Sequence, residues 1–393
     1  MMKKKYLFAA LTMAVIAGSC SKDDVNPADA GLPVINLTVP AGGFTADSLQ
    51  WVRINPEVPN AGNARYLWMN GNDTLATTKD LQFVSDVTGV VTLRFSVSNS
   101  AGESFKTVEV KISAPSASYK TGVTKVFEYF PAPGQFINTM PAWNDGDNAE
   151  KMAAAAQSAL SEDGLVSLGG FGGYIVMGFD HIILNKPGKN SFRIIGNAFG
   201  DWSEPGIIEV SADVNGNGLP DDEWYEIAGS EYNSPHTIKN YQITYYKPDE
   251  NKEKTPDPNN QFLTDTSYIR WKDNQGNAGF LSRNMFYSQP YYPAWKGDSI
   301  TFTGSRLADQ IEDLSGNGTY FVNHAFPYGY ADNQSNDDEK SAIRIEWAVD
   351  KAGNPARLPG INFIRVYSAV RAEAGWLGEI STDLTGAVDL NVK

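Results

Sequence analysis

The chain has 393 residues and a formal net charge of −14, with 32 Lys and Arg against 46 Asp and Glu. Such an excess of acid argues against nucleic acid as a partner, because a phosphate backbone is held through basic patches, and it favours cations or neutral ligands. A single cysteine rules out an internal disulfide, so folding rests on core burial and on any metal taken up, and the length suits two or three domains.

Three lysines (Lys3 to Lys5), an apolar run over 6–16 and the small residues Ala17, Gly18 and Ser19 precede Cys20. This is the layout of an export signal, and the run is shorter than the roughly 20 residues of a spanning helix, so removal of 1–19 is expected. The segment resembles a bacterial lipobox, in which the cysteine is acylated and becomes the mature N-terminus; Ala17 stands where that pattern usually has Leu. Ser21-Lys22-Asp23-Asp24 is similar to the tag that sends some Gram-negative lipoproteins to the outer face of the outer membrane. Together these imply a chain lipidated at Cys20 and facing the cell exterior. An ordinary secretory peptide followed by a polar linker is the alternative. Residues 20–32 read as a flexible tether.

From 33 to 113, short segments rich in β-branched and aromatic residues alternate with Gly, Pro and Asn turns, the spacing of a small β-sandwich. Leu93, Phe95 and Val97 fall on one face of a strand and Thr92, Arg94 and Ser96 on the other, and Val108, Val110 and Ile112 mark a final strand. The ending resembles a PKD-like or immunoglobulin-like domain, with Val91 in place of the usual Tyr. Residues 114–121 read as a linker.

The remaining residues, 122–393, hold strand candidates such as YIVMGFD, SFRIIGN, GIIEVSAD, YQITYYK, SITFTGS and INFIRVYSAV. In AIRIEWAVD, Ile343, Ile345 and Trp347 alternate with Arg344, Glu346 and Ala348, which predicts a half-buried strand. One helix is expected over 148–160, capped by Asp147. The expected fold is all-β: the PKD-like sandwich, then a larger jelly-roll-like sandwich with one short helix as the ligand-binding domain.

Asp213, Asn215 and Asn217 stand at positions one, three and five of a calcium-type loop, with Gly218 at six, the Leu219 carbonyl at seven and Asp221 at nine. Glu223 is a further donor, and Trp224 replaces the acid expected at position twelve. An Asx-rich turn without metal is the alternative. The glycines of LGGFGG precede a β-like run and no helix, so they predict tight packing at a bend and no phosphate cradle. Prolines 290 and 293 stiffen a segment carrying Tyr291, Tyr292 and Trp295, whose flat faces suit a sugar ring or a corrin, as do Trp202, Tyr328 and Tyr330. The alternative for each is core packing. The loop with Asp332, Asn333, Asp337 and Asp338 is expected to be solvated or to line the same rim. His181, His236 and His324 have no zinc spacing, no GxSxG is present, and a pair of catalytic carboxylates cannot be picked out.

The order of GGFGGYIVMGFD, GNAFGDWSEPGIIEVS, DVNGNGLPDDEWYEIAG, QPYYPAW and GWLGEIST resembles a family of bacterial cell-surface modules. The resemblance implies a jelly-roll-like sandwich following a PKD-like domain in surface lipoproteins, some of them beside TonB-dependent receptors, including receptors for corrinoids. The expectation is therefore a non-enzymatic surface lipoprotein, stabilised by calcium, that binds a nutrient of the cobalamin type for an outer-membrane receptor. A carbohydrate-binding or adhesin module is the alternative, and a carboxylate glycosidase the third.

Overall fold

The computed structural model describes residues 31–392; the leader, the Cys20 anchor and most of the tether lie outside them. The chain divides into two compact units, one of residues up to 38, 55–80 and 92–108, the other of 39–54, 81–91 and 109 onward. The described residues are nearly all β, with one α-helix.

In the smaller unit, the strand Arg65–Asn70 turns at Gly71 (φ 57°) into Asp73–Ala76 and pairs antiparallel with residues 93–98. Trp68 faces Phe95, ring on ring at 4.4 Å, and both are fully buried. Leu93 and Val97 are buried beside Phe95, while Thr92 and Arg94 are exposed, as the alternation predicts. Ser96 is buried as well.

The larger unit is built on a six-stranded antiparallel sheet in the order Ala348–Val349, Tyr225–Ile227, Gly206–Ser211, Gly360–Ser368, Tyr174–Leu184, Lys125–Phe130. Successive side chains of a strand point to opposite faces, and here both faces are covered. Ile208, Val210, Ile364 and Val366 enter one core with Met152 and Ala156 of the helix, Phe192, Ile194 and Leu384. Ile207 and Tyr367 enter a second core with Tyr241, Ile243, Tyr245 and Phe302. The first core is closed by the sheet Ala342–Ile343, Phe192–Gly196, Asp383–Asp389, Val166–Ser167, the second by Ala278–Asn284, Leu263–Asp273, Ile238–Tyr246, Ser299–Arg306.

The helix runs Ala149–Ser161, and Asn148 is its cap, its side chain accepting the Lys151 N–H at 3.0 Å. Asp147 instead accepts the Asn144 N–H at 2.9 Å and pairs with the Lys151 ammonium, so the expected cap is displaced by one residue. The alternation at 343–348 is not a strand. Ile343 pairs with Phe192, the chain makes a 3-10 turn at Ile345–Trp347, and Ala348–Val349 joins a different sheet. A segment that changes sheets cannot stay extended throughout.

The LGGFGG glycines are where side chains have no room. A Cβ on Gly173 would overlap the Leu168 carbonyl, and one on Gly172 (φ 89°) would overlap Phe302. Absent side chains let the bend enter the second core.

Candidate functional site

A cavity of about 720 Å³ opens in the larger unit, lined by loop residues and by the ends of several strands. Its walls are aromatic. Phe199, Tyr320 and Phe286 are 65%, 58% and 50% exposed, and Trp202, Tyr287, Phe321 and Trp376 complete the surface. Phe286 and Trp376 are held from behind by Phe262, whose ring lies 5.6 Å and 5.4 Å from theirs. Phe199 and Trp202 exchange backbone hydrogen bonds across a tight loop, with Asp201 between them at φ 65°. This left-handed conformation is one that Asp tolerates better than most residues, and it turns both rings toward the opening.

Beneath the rings lies a polar chain. Gln135 donates its N–H to Glu379 Oε1 at 2.6 Å and accepts the Asn284 amide at 2.6 Å, and Asn284 in turn accepts the Tyr291 hydroxyl at 3.1 Å. Glu379 Oε2 is buried with no hydrogen-bond partner. Glu204 and Asp383 line the same floor, and Asp383 accepts the Ser381 hydroxyl at 2.9 Å. Behind them Asp332 accepts the N–H groups of Asn197 and Ala198, each at 2.8 Å.

This packing of acids raises their proton affinity. Burial, then the Asp383 charge, pushes Asp332 up to about 8. Burial lifts Asp383 to about 6 against hydrogen bonds from Ser167 and Ser381. Glu204 and Glu379 are held well above the carboxylate range, first by burial and then by neighbouring acids. Burial thus favours the protonated form of these acids, least so for Asp383, and a protonated carboxyl can donate as well as accept a hydrogen bond.

Of the aromatics singled out in the sequence, Trp202 lines this cavity. Tyr291 and Tyr292 do not project outward. They are 1% and 2% exposed, packed in the second core, with hydroxyls spent on Asn284 and on the Gly297 carbonyl at 2.8 Å. Tyr291 thus supports the site without facing it. Trp295 is half-buried against the first core beside Tyr129, and Tyr330 is buried, its hydroxyl accepting the Glu231 N–H at 2.9 Å. Tyr328 is exposed but rests on Trp347, outside the cavity. The apolar demand of the core turns the rings of Tyr291 and Tyr292 inward. Asp332 and Asn333 are buried, not solvated, because their side chains bind backbone N–H groups of neighbouring loops. The exposed rings of Phe199, Phe286 and Tyr320 escaped sequence reasoning, since none lies in a periodic segment.

The Asp213 loop is satisfied internally. Asp213 accepts Gly216 and Gly218 N–H groups at 2.7 Å and 3.2 Å, and Asn215 and Asn217 turn their oxygens to the N–H groups of Asn217 and Leu219. Both Asn amides donate to Asp221, at 2.8 Å and 2.9 Å, while Glu223 accepts the Tyr225 hydroxyl. Among the described residues no cluster of three or more His, Cys, Asp or Glu is placed to hold a metal. The oxygens are of the kind calcium takes, but binding would exchange existing partners and would not fill a ready-made shell.

Among solved structures, the chain is similar to three N-terminal domains of the Hoc outer capsid protein of bacteriophage RB49, at 13% identity, 50% coverage of each chain and a TM-score of 0.17. It spans about half the length of that protein. It is also similar to carbohydrate-binding modules of the β-sandwich superfamily (10% identity, 92% of this chain and 100% of that one, TM-score 0.19) and to a SusE-like protein (9%, 91% and 95%, TM-score 0.21). Scores this low transfer nothing about function. No curated protein matches the chain. Residues 32–99 match the PKD-like domain family, and the N-terminal segment is a PKD-like domain.

Proposed function

We propose that the larger unit binds carbohydrate in the aromatic-walled cavity and that the protein presents it at the cell surface, held by the lipid anchor expected at Cys20. The observation that carries this is the pairing of exposed rings with buried, hydrogen-bonding amides and carboxyls in one opening. A sugar has apolar C–H faces that stack on aromatic rings and hydroxyls that both donate and accept, so it needs both surfaces together. The volume lies within the roughly 300–1,000 Å³ of ligand sites. A corrinoid would meet aromatic surface, but no histidine lines the cavity to reach a cobalt ion. Glycan is therefore the ligand favoured here over cobalamin, and delivery to a TonB-dependent receptor has no support from the site.

The test is a glycan array probed with the full chain, followed by calorimetry of the hits, with cobalamin and product analysis run in parallel. Saturable glycan binding that falls about tenfold, or about 1.4 kcal/mol, in Phe199→Ala or Tyr320→Ala supports the reading. Cobalamin binding without glycan binding overturns it, and released sugars would make the floor acids catalytic.

A further inference from the structure

Resting on that reading, we propose that the cavity selects a glycan carrying a free amino group, whose ammonium is received by Glu379, Glu204 and Asp383 on the floor. The charge inventory is one-sided: Asp201, Glu204, Glu379 and Asp383 line the cavity, and no Lys, Arg or His does. Arg371 lines a second, narrower cleft together with Glu373 and Glu379 and lies over Trp271 at 4.2 Å. It does not enter the cavity.

The second observation is Glu379 itself. It is 3% exposed, one oxygen is fixed by the Gln135 N–H, and the other has no partner in the protein. Buried acceptors are almost always satisfied, so a bare carboxyl oxygen at a ligand cavity marks a place where the ligand supplies the donor.

An ammonium suits this floor better than a hydroxyl for an electrostatic reason. Burial first, then neighbouring acids, favour the neutral form of Glu204 and Glu379. A cation between them removes the repulsion and allows a carboxyl to ionise, releasing a proton to solvent and leaving a charge-assisted hydrogen bond. An acidic sugar meets the opposite: its carboxylate adds to the repulsion with no base to receive it.

The experiment is calorimetry of the full chain at neutral pH with four tetramers: glucosamine, N-acetylglucosamine and glucose in β-1,4 linkage, and galacturonate in α-1,4 linkage as the anionic member. The glucosamine tetramer is expected to bind at least about tenfold tighter than the glucose tetramer. Its enthalpy should vary with the ionisation enthalpy of the buffer, reporting the proton released. Glu379→Gln should erase the preference for the glucosamine tetramer over the glucose tetramer. Because N-acetylation removes the charge on the ligand side, the comparison holds even if that variant does not fold. Equal affinity for the glucosamine and glucose tetramers, or array hits confined to neutral glycans, overturns the amine inference and leaves the glycan reading intact. No binding to any tetramer or array glycan overturns both.

Discussion

Asp383 donates its backbone N–H to Oδ2 of Asp332 at 2.9 Å, which sets two buried carboxyls against each other at the base of the cavity. Their ordinary value is about 3.9, and the fold lifts them to about 8 and about 6. Between those values the folded state holds more protons than the unfolded chain, so stability is greatest near the ordinary carboxylate value and falls as pH rises through about 6 and about 8. His181 acts in the same direction. Burial pushes its affinity for protons down, but hydrogen bonds to Asp389 and Asp180 outweigh this and raise it above 6.5, so its contribution is also lost with rising pH. The melting temperature of the full chain should decline from about pH 5 to about pH 8.5, and Asp383→Asn should flatten the decline. A melt that rises over this interval would contradict the shifts.

Tyr291 and Phe286 separate support from contact. Tyr291→Phe removes the hydroxyl that Asn284 accepts, which should cost about 1 kcal/mol of unfolding free energy in a denaturant titration. Phe286→Ala removes an exposed ring, so stability should stay within about 0.5 kcal/mol while glycan affinity falls about tenfold. The reverse pattern would make Tyr291 the platform and Phe286 the scaffold.

The bend at LGGFGG offers a test of packing alone. Gly173→Ala places a methyl against the Leu168 carbonyl and the Ala132 nitrogen, both backbone atoms that cannot turn aside. The expected loss is about 1–3 kcal/mol, read as a lower denaturation midpoint with an unchanged slope. Gly188→Ala is the control for an open glycine, since nothing lies near a Cβ there, although its φ of 69° carries some strain of its own.

Strands with one wet face announced themselves through alternation, as at Leu93, Phe95 and Val97, and strands buried on both faces through apolar runs, as over 174–179 in Tyr174–Leu184. Leu263–Asp273 and Asp383–Asp389 showed neither sign. The first mixes Thr, Asp and Ser into its paired length, and the second carries a buried acid at each end and Gly386 at its centre. The site was harder still. Glu204 sits before Pro205 in a loop among 46 acids, and nothing local tells that Asp383, far along the chain, lies beside it. Prolines 290 and 293 flank Tyr291 and Tyr292 in the sequence, but which way the rings face was decided by the core they fill.

Calcium at the Asp213 loop is the remaining proposal, and its physics differs from that of a preformed site. Asp221 is held below the usual carboxylate range by the amides of Asn215 and then Asn217, which shows the anion already attracting donors. A calcium ion there would take those donors' place, and Asn215 and Asn217 would turn their oxygens from backbone N–H groups toward the metal. Binding to the folded state alone would add about 2.7 kcal/mol at a hundredfold excess over Kd. The melting temperature should then rise with calcium and fall with chelator, and Asp221→Asn should remove the response. Asp221→Asn is the better probe than Asp213→Ala, because Asp213 also pairs with Arg53 at 3.5 Å and its loss would destabilise without any metal. A melt unchanged by calcium in the wild-type chain, with no metal in the purified protein, would leave the loop as an Asx-rich turn held by its own hydrogen bonds.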